Sequence, residues 1–156
     1  MRGVYDINFQ ISSKNDNKSL LALTPPSGKV LQVISATVST TSNTTMGFAE
    51  CCFSRITTLG SLAGTTLADG TAITPEEQAD QASGITALGT ITTEATTYGP
   101  DLAREGWNTL SSYRYNPSPE ERLTISGTTP TVLRMPTAPS AGAVNLDVSV
   151  KVQIIG

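Results

Sequence analysis

The sequence contains no histidine. Its absence removes the commonest general base and the commonest transition-metal ligand. Charged residues make up only 15% of the chain and the net charge is −3, which gives no electrostatic grip on nucleic acid or an anionic membrane. No apolar run approaches the roughly 20 residues of a membrane-spanning helix. The opening Met1-Arg2-Gly3-Val4-Tyr5-Asp6 lacks the apolar segment of a signal peptide, so the expectation is a protein made and assembled in a cytoplasm. The only cysteines are the neighbours Cys51 and Cys52. A disulfide between sequence neighbours is strained, and cytoplasmic thiols stay reduced. Both are expected to be small buried side chains of a strand. Aromatics are scarce at 5%, and threonine, serine, alanine and glycine dominate, a composition that suits β-structure with many turns.

What is present is period two. From Val144 the chain places Val144, Leu146, Val148, Val150, Val152 and Ile154 at every second position, with Asn145, Asp147, Ser149, Lys151 and Gln153 between them. Successive side chains of a strand point to opposite faces, so this stretch predicts one long strand with a dry face and a wet face. Burying its apolar side chains stabilises by roughly 9–18 kcal/mol, about what ordering a dozen residues costs. Such a strand therefore needs neighbours and an apolar layer facing it, and the one-sided pattern favours an antiparallel sheet.

The same grammar recurs along the chain. Tyr5, Ile7, Phe9 and Ile11 alternate with Asp6, Asn8, Gln10 and Ser12. A polar turn at Ser13–Lys18 and a short strand at Ser19–Thr24 follow, closed by Pro25, Pro26 and Gly28. Lys29–Thr40 predicts a central strand with Val30, Ile34, Ala36 and Val38 on one face and Leu31 and Val33 opposite. After the loop Thr41–Thr45, Phe48–Thr58 returns as a hairpin partner. Leu59–Asp69 shows no clear period. Thr74-Pro75-Glu76-Glu77 and Ser118-Pro119-Glu120-Glu121 both carry the cap, proline and acidic residue of a helix start. Ile85–Thr96 predicts a weak strand interrupted by Gly89, and Tyr98–Tyr115 a short helix or a loop across the core. Arg122–Gly127 and Thr131–Met135 predict two further short strands. About eight strands with Gly/Pro punctuation, in a chain of 156 residues, predict a single antiparallel β-sandwich domain over 1–156. It is all-β and jelly-roll-like, with one or two short helical turns. An immunoglobulin-like sandwich is the alternative, although its cysteine–tryptophan–cysteine signature is missing.

Chemistry is hard to find in these residues. A nucleophile–base pair with histidine cannot be built, and no motif surrounds the lysines or carboxylates. The pairs Glu76-Glu77 and Glu120-Glu121 fit helix starts, where negative charge favours the helix dipole, better than acid/base catalysis. Asp6, Asp16, Asp69 and Asp80 lack calcium-loop spacing. The triplets Asn17-Lys18-Ser19 and Asn43-Thr44-Thr45 match the glycosylation pattern by chance if no signal peptide is present. The expectation is therefore no enzyme, no cofactor and no metal. Arg104, Trp107, Tyr113, Arg114 and Tyr115 are of the types that dominate interface energies and crowd a short span. They are the candidate protein-interface residues if that span is exposed; Trp107, Tyr113 and Tyr115 could instead line a sugar-binding face.

The succession of segments resembles a family. The Pro-rich break before a long apolar strand, LTPPSGKVLQVISATV, the polar tip TSNTT, and the later NPSPEERLTISG and VLRMPTAP are similar to small virion proteins of tailed bacteriophages, most of all to capsid decoration or cement proteins. The likeness is diffuse, covers most of the chain and rests on segment order and composition. It implies a β-sandwich, often jelly-roll-like, sitting as a homotrimer on the outside of the head and bracing the major capsid protein, with no nucleic-acid or membrane partner. The expected location is the capsid surface of the virion. A tail, neck or fibre component is the alternative within the same class, and a carbohydrate-binding module the alternative outside it.

Overall fold

The computed structural model describes residues 3–41 and 45–156, and among them twelve strands and one short 3₁₀ turn. The expected final strand is β12 (Val144–Ile155), with its even-numbered residues buried as the alternation demands. It lies between β1 (Gly3–Lys14) and β3 (Val30–Thr41), antiparallel to both. On one side Tyr5, Ile7, Phe9 and Ile11 stand opposite Val152, Val150, Val148 and Leu146. These cross-strand pairs share the dry face.

Sheet A runs β10 (Thr124–Ser126), β3, β12, β1, β6 (Ile73–Pro75), with β9 (Ser112–Tyr115) also paired to β3. Sheet B runs β5 (Ala63–Leu67), β7 (Thr86–Thr93), β2 (Leu21–Thr24), β11 (Thr131–Arg134), β4 (Phe48–Thr58), β8 (Thr97–Asn108). The two antiparallel sheets pack as an all-β sandwich. Its eight framework strands order as β1-β12-β3-β9 in one sheet and β2-β11-β4-β8 in the other, which is the jelly-roll arrangement. The main core between the layers holds Tyr5, Ile7, Leu31, Val33, Phe53 and Leu133 together with the inward residues of β12.

The segment between β4 and β8 is an excursion from this plan. It adds β5 and β7 to one sheet and β6 to the other. Ile91 and Ala95 then pack with Ala22, Ile56 and Val132 in a second, smaller core, flanked by Leu62, Leu88 and Tyr98. Ala22 and Val132 lie between core-facing neighbours on their strands, so this cluster covers the outer face of sheet B. The Glu94 carboxylate ties the excursion down by accepting hydrogen bonds from the Ser19 amide, the Ser19 hydroxyl and the Tyr98 hydroxyl.

Several expectations are corrected. In β3, Leu31 and Val33 face the core, and so do Ala36 and Val38, because a register shift opposite Lys151/Val152 inserts one extra residue at Ile34–Ser35. Such a bulge moves every later side chain to the other face. Thr74-Pro75-Glu76-Glu77 starts no helix. Pro75 ends β6, opposite Tyr5, the Glu76 amide donates to the Val4 carbonyl at 2.8 Å, and the Glu76 carboxylate meets Lys151 at 2.6 Å. With no apolar face to bury after the cap, pairing with the sheet edge prevails over the helix.

The second capping segment yields one 3₁₀ turn, Pro119–Glu121, without a side-chain cap to the backbone. The Ser118 hydroxyl instead donates to the Glu121 carboxylate at 3.0 Å. Tyr98–Tyr115, expected as helix or loop, holds β8 in one sheet and β9 in the other. Leu59–Asp69 contains β5. Gly89 sits inside β7 because the Phe9 ring leaves no room for a side chain: an added Cβ would lie 2.9 Å from it. The polar tip TSNTT and the triplet Asn43-Thr44-Thr45 fall mostly at positions 42–44, and Met1 and Arg2 at the start; these lie outside the described residues.

The alternation in β12 makes a direct prediction. Leu146→Ala should destabilise the fold by about 2–5 kcal/mol, whereas exposed Ser149→Ala should stay within about 0.5 kcal/mol of wild type. Urea unfolding followed by circular dichroism measures both.

Candidate interaction surface

The five candidate interface residues all fall on β8 and β9, but the fold divides them between the two sheets. β8 runs along the free side of β4, with Ala49 opposite Trp107 and Glu50 opposite Gly106. Trp107 therefore points inward with Ala49 and Cys51 and is 5% exposed. Its indole N–H donates to the Cys51 sulfur at 3.4 Å. Tyr113 is buried as well, and its hydroxyl donates to the Ala103 carbonyl at 2.9 Å. Tyr115 is half-buried. Its ring lies 5.3 Å from that of Phe53 at 60°, and its hydroxyl accepts the Leu123 amide at 2.9 Å.

The three aromatics thus form the core wall where the two sheets meet. That correction removes Trp107 and Tyr113 from any exposed contact surface of the single chain, and equally from a sugar platform. Arg104 and Arg114 are exposed but sit on different sheets. Arg114 on β9 donates to its neighbour Ser112 at 3.2 Å. Arg104 belongs to the outer face of sheet B.

That outer face carries a charge ladder. Arg104 bridges Glu50 at 2.6 Å and Asp101 at 2.9 Å. Arg134 lies 3.8 Å from the other Asp101 oxygen and 4.3 Å above the Tyr98 ring. Burial pushes the Asp101 carboxyl up, but hydrogen bonds from Ser54, Cys52 and Arg104 and the charge of Arg134 outweigh it and hold its pKa below the ordinary 3.8. Two carboxylates thus answer two guanidiniums within the ladder.

Next to the ladder is what the sequence reading missed. Phe48, at the start of β4, stands opposite Asn108. One step further the Thr109 amide donates to the Gly47 carbonyl at 2.9 Å, so Met46 and Leu110 lie at the same end of β4 and β8. Met46, Phe48 and Leu110 are 68%, 70% and 52% exposed and form an apolar patch at one end of the sandwich. A signal existed. Phe48 shares its face with Glu50, opposite to the face of Ala49, Cys51 and Phe53, so period two already turned it outward.

The edges of both sheets are blunted. β6 has three residues and ends at Pro75, β5 has five, and β9 and β10 are short. β8 has twelve residues, but it contains Pro100, pairs with β4 through three register shifts, and holds Ala103 at φ 51°. Proline, bulges and short strands are the devices that stop a sheet edge from recruiting another strand.

Pockets are small. A recess of about 200 Å³ lies among Phe53, Leu102, Ala103, Tyr115, Glu121 and Leu123, and one of about 280 Å³ among Asn8, Phe9, Gln10, Asp147, Val148 and Ser149. Neither reaches the roughly 300–1,000 Å³ of small-molecule sites. Among the described residues no cluster of three metal-ligating side chains occurs, and no helix is long and apolar enough to cross a membrane. The class defined here is a jelly-roll β-sandwich whose outer face carries a paired-charge ladder and exposed apolar side chains. No family model, characterised protein or solved structure matches the chain.

Two measurements follow. Burial raises the Cys51 thiol to about 12 and the Cys52 thiol to about 11, so at pH 8 neither offers a thiolate. A thiol-specific chromophore should label the native protein no faster than it unfolds, and label both cysteines promptly in denaturant. The second concerns acid. A carboxyl whose folded pKa lies below its unfolded one contributes stability above the unfolded value, and this is lost as the pH falls through the folded one. Wild type should therefore lose stability below about pH 4, and Asp101→Asn should flatten part of that loss in urea titrations at successive pH values.

Proposed function

We propose that this protein is a structural virion component of a tailed bacteriophage, a decoration or cement protein that binds the outside of the capsid and stabilises the shell. The observation that carries the reading is a convergence. The segment order resembles that of cement proteins, and the strand order is the jelly roll that this resemblance implies. The exposed apolar side chains beside paired charges at one end have the composition of a protein-binding face, which suits the homo-oligomer of this reading. The partner in this reading is the major capsid protein, held non-covalently by a homo-oligomer, a trimer in the resemblance.

The mechanism is mass action. A ligand that binds only the assembled lattice stabilises it in proportion to its occupancy. The test uses purified particles stripped of this protein and then reconstituted with it. Reconstituted heads should withstand a higher temperature before releasing their contents. Equal bursting temperatures with and without the protein would refute the cement role.

A further inference from the structure

We infer that the outer face of β4 and β8 is where one copy of this chain meets another. The face has a knob and a bare, flat strip side by side. Phe48 projects from β4 at 70% exposure. One residue pair further along, Glu50 stands opposite Gly106, which presents no side chain. A Cβ built on Gly106 would find only the Ala49 carbonyl and the Glu50 side chain, each at 3.9 Å, so the surface there is open and flat. The nearest charges are of both signs, Glu50 and Arg104, 2.6 Å apart.

A face with a knob next to a bare strip and an anion next to a cation can meet a copy of itself. Under a two-fold axis each Phe48 ring lies over the partner's Gly106 while Glu50 turns to the partner's Arg104. A three-fold ring would use the face heterologously instead, Phe48 of each copy on Gly106 of the next.

Area and edges point the same way. Taking about 200 Å² for each fully exposed large side chain, Met46, Phe48 and Leu110 offer roughly 400 Å² of apolar surface, as large as the functional patches of typical monomers. A standard interface takes about 800 Å² from each partner, and the adjoining row of Asn108, Gly106, Glu50 and Arg104 extends the apolar area on the same face. The charges are already matched within the chain, so the face does not select a strongly charged partner such as nucleic acid or anionic lipid. Since the sheet edges are blunted, copies that associate do so through faces.

This inference deepens the proposed function, in which the protein acts as an oligomer, but its test needs no particles. Sedimentation velocity of the full chain, from about 1 μM to about 1 mM, should show a concentration-dependent dimer or trimer. Phe48→Ser and, separately, Gly106→Leu should weaken association at least tenfold. Their urea midpoints should be unchanged, because both positions are open to solvent. Arg114→Ala, on the other sheet, should associate like wild type. A wild-type chain that stays monomeric throughout, or folded Phe48→Ser and Gly106→Leu proteins that associate as tightly as wild type, would overturn the inference. If one variant fails to fold, the other decides. None of these outcomes bears on the heat stability of particles, so the two readings fail separately.

Discussion

The fold depends on one strand being wanted by three neighbours at once. β12 gives its backbone to β1 on one side and β3 on the other, and its valines and leucine to the layer opposite. No other strand is used so completely. Because β1 opens the described chain and β12 closes it, this contact cannot form locally and must be made across nearly the whole sequence. That is the high-contact-order pairing that makes β-sandwiches slow to fold. The bulge at Ile34–Ser35 matters for the same reason. It lets β3 follow β12 over eleven paired positions while still presenting apolar residues to the core at both its ends.

Legibility in the sequence tracks how one-sided each strand's surroundings are. β1 and β12 each have a dry face and a wet face, so their alternation could be read without coordinates. β3 was read as a strand, yet its faces were misassigned, because period counting cannot see an inserted residue. β8 was not read as a strand at all. As an edge strand it leaves both faces largely in solvent, and its Gly99, Pro100 and Gly106 look like turn signals when they are tolerated only because one side is unpaired. Local capping chemistry at Thr74 misled for a different reason: a cap marks a helix only where an apolar face follows it, and Glu76–Gln81 has none.

The candidate surface was legible only in part. Tyrosine, tryptophan and arginine crowd the span from Arg104 to Tyr115 because a crossing from one sheet to the other at the rim of a sandwich must close the core with something large. The alternation of β8 and β9 then sends Trp107 and Tyr113 inward and leaves Arg104 and Arg114 out on opposite layers. Residue type pointed to an interface; residue parity decided which side chains could take part. The exposed Phe48 was available to the same parity argument and was overlooked because it begins a strand instead of interrupting one.

The blunted edges carry a consequence for behaviour in a crowd. Proteins rich in strands tend to polymerise when packed densely, since any free rim of backbone amides and carbonyls is a template for the next chain. Here Pro75, Pro100, the kink at Ala103 and the short outer strands interrupt that template along much of the sheet rims. Strand-by-strand growth therefore has little to extend when the chain is brought to high local concentration.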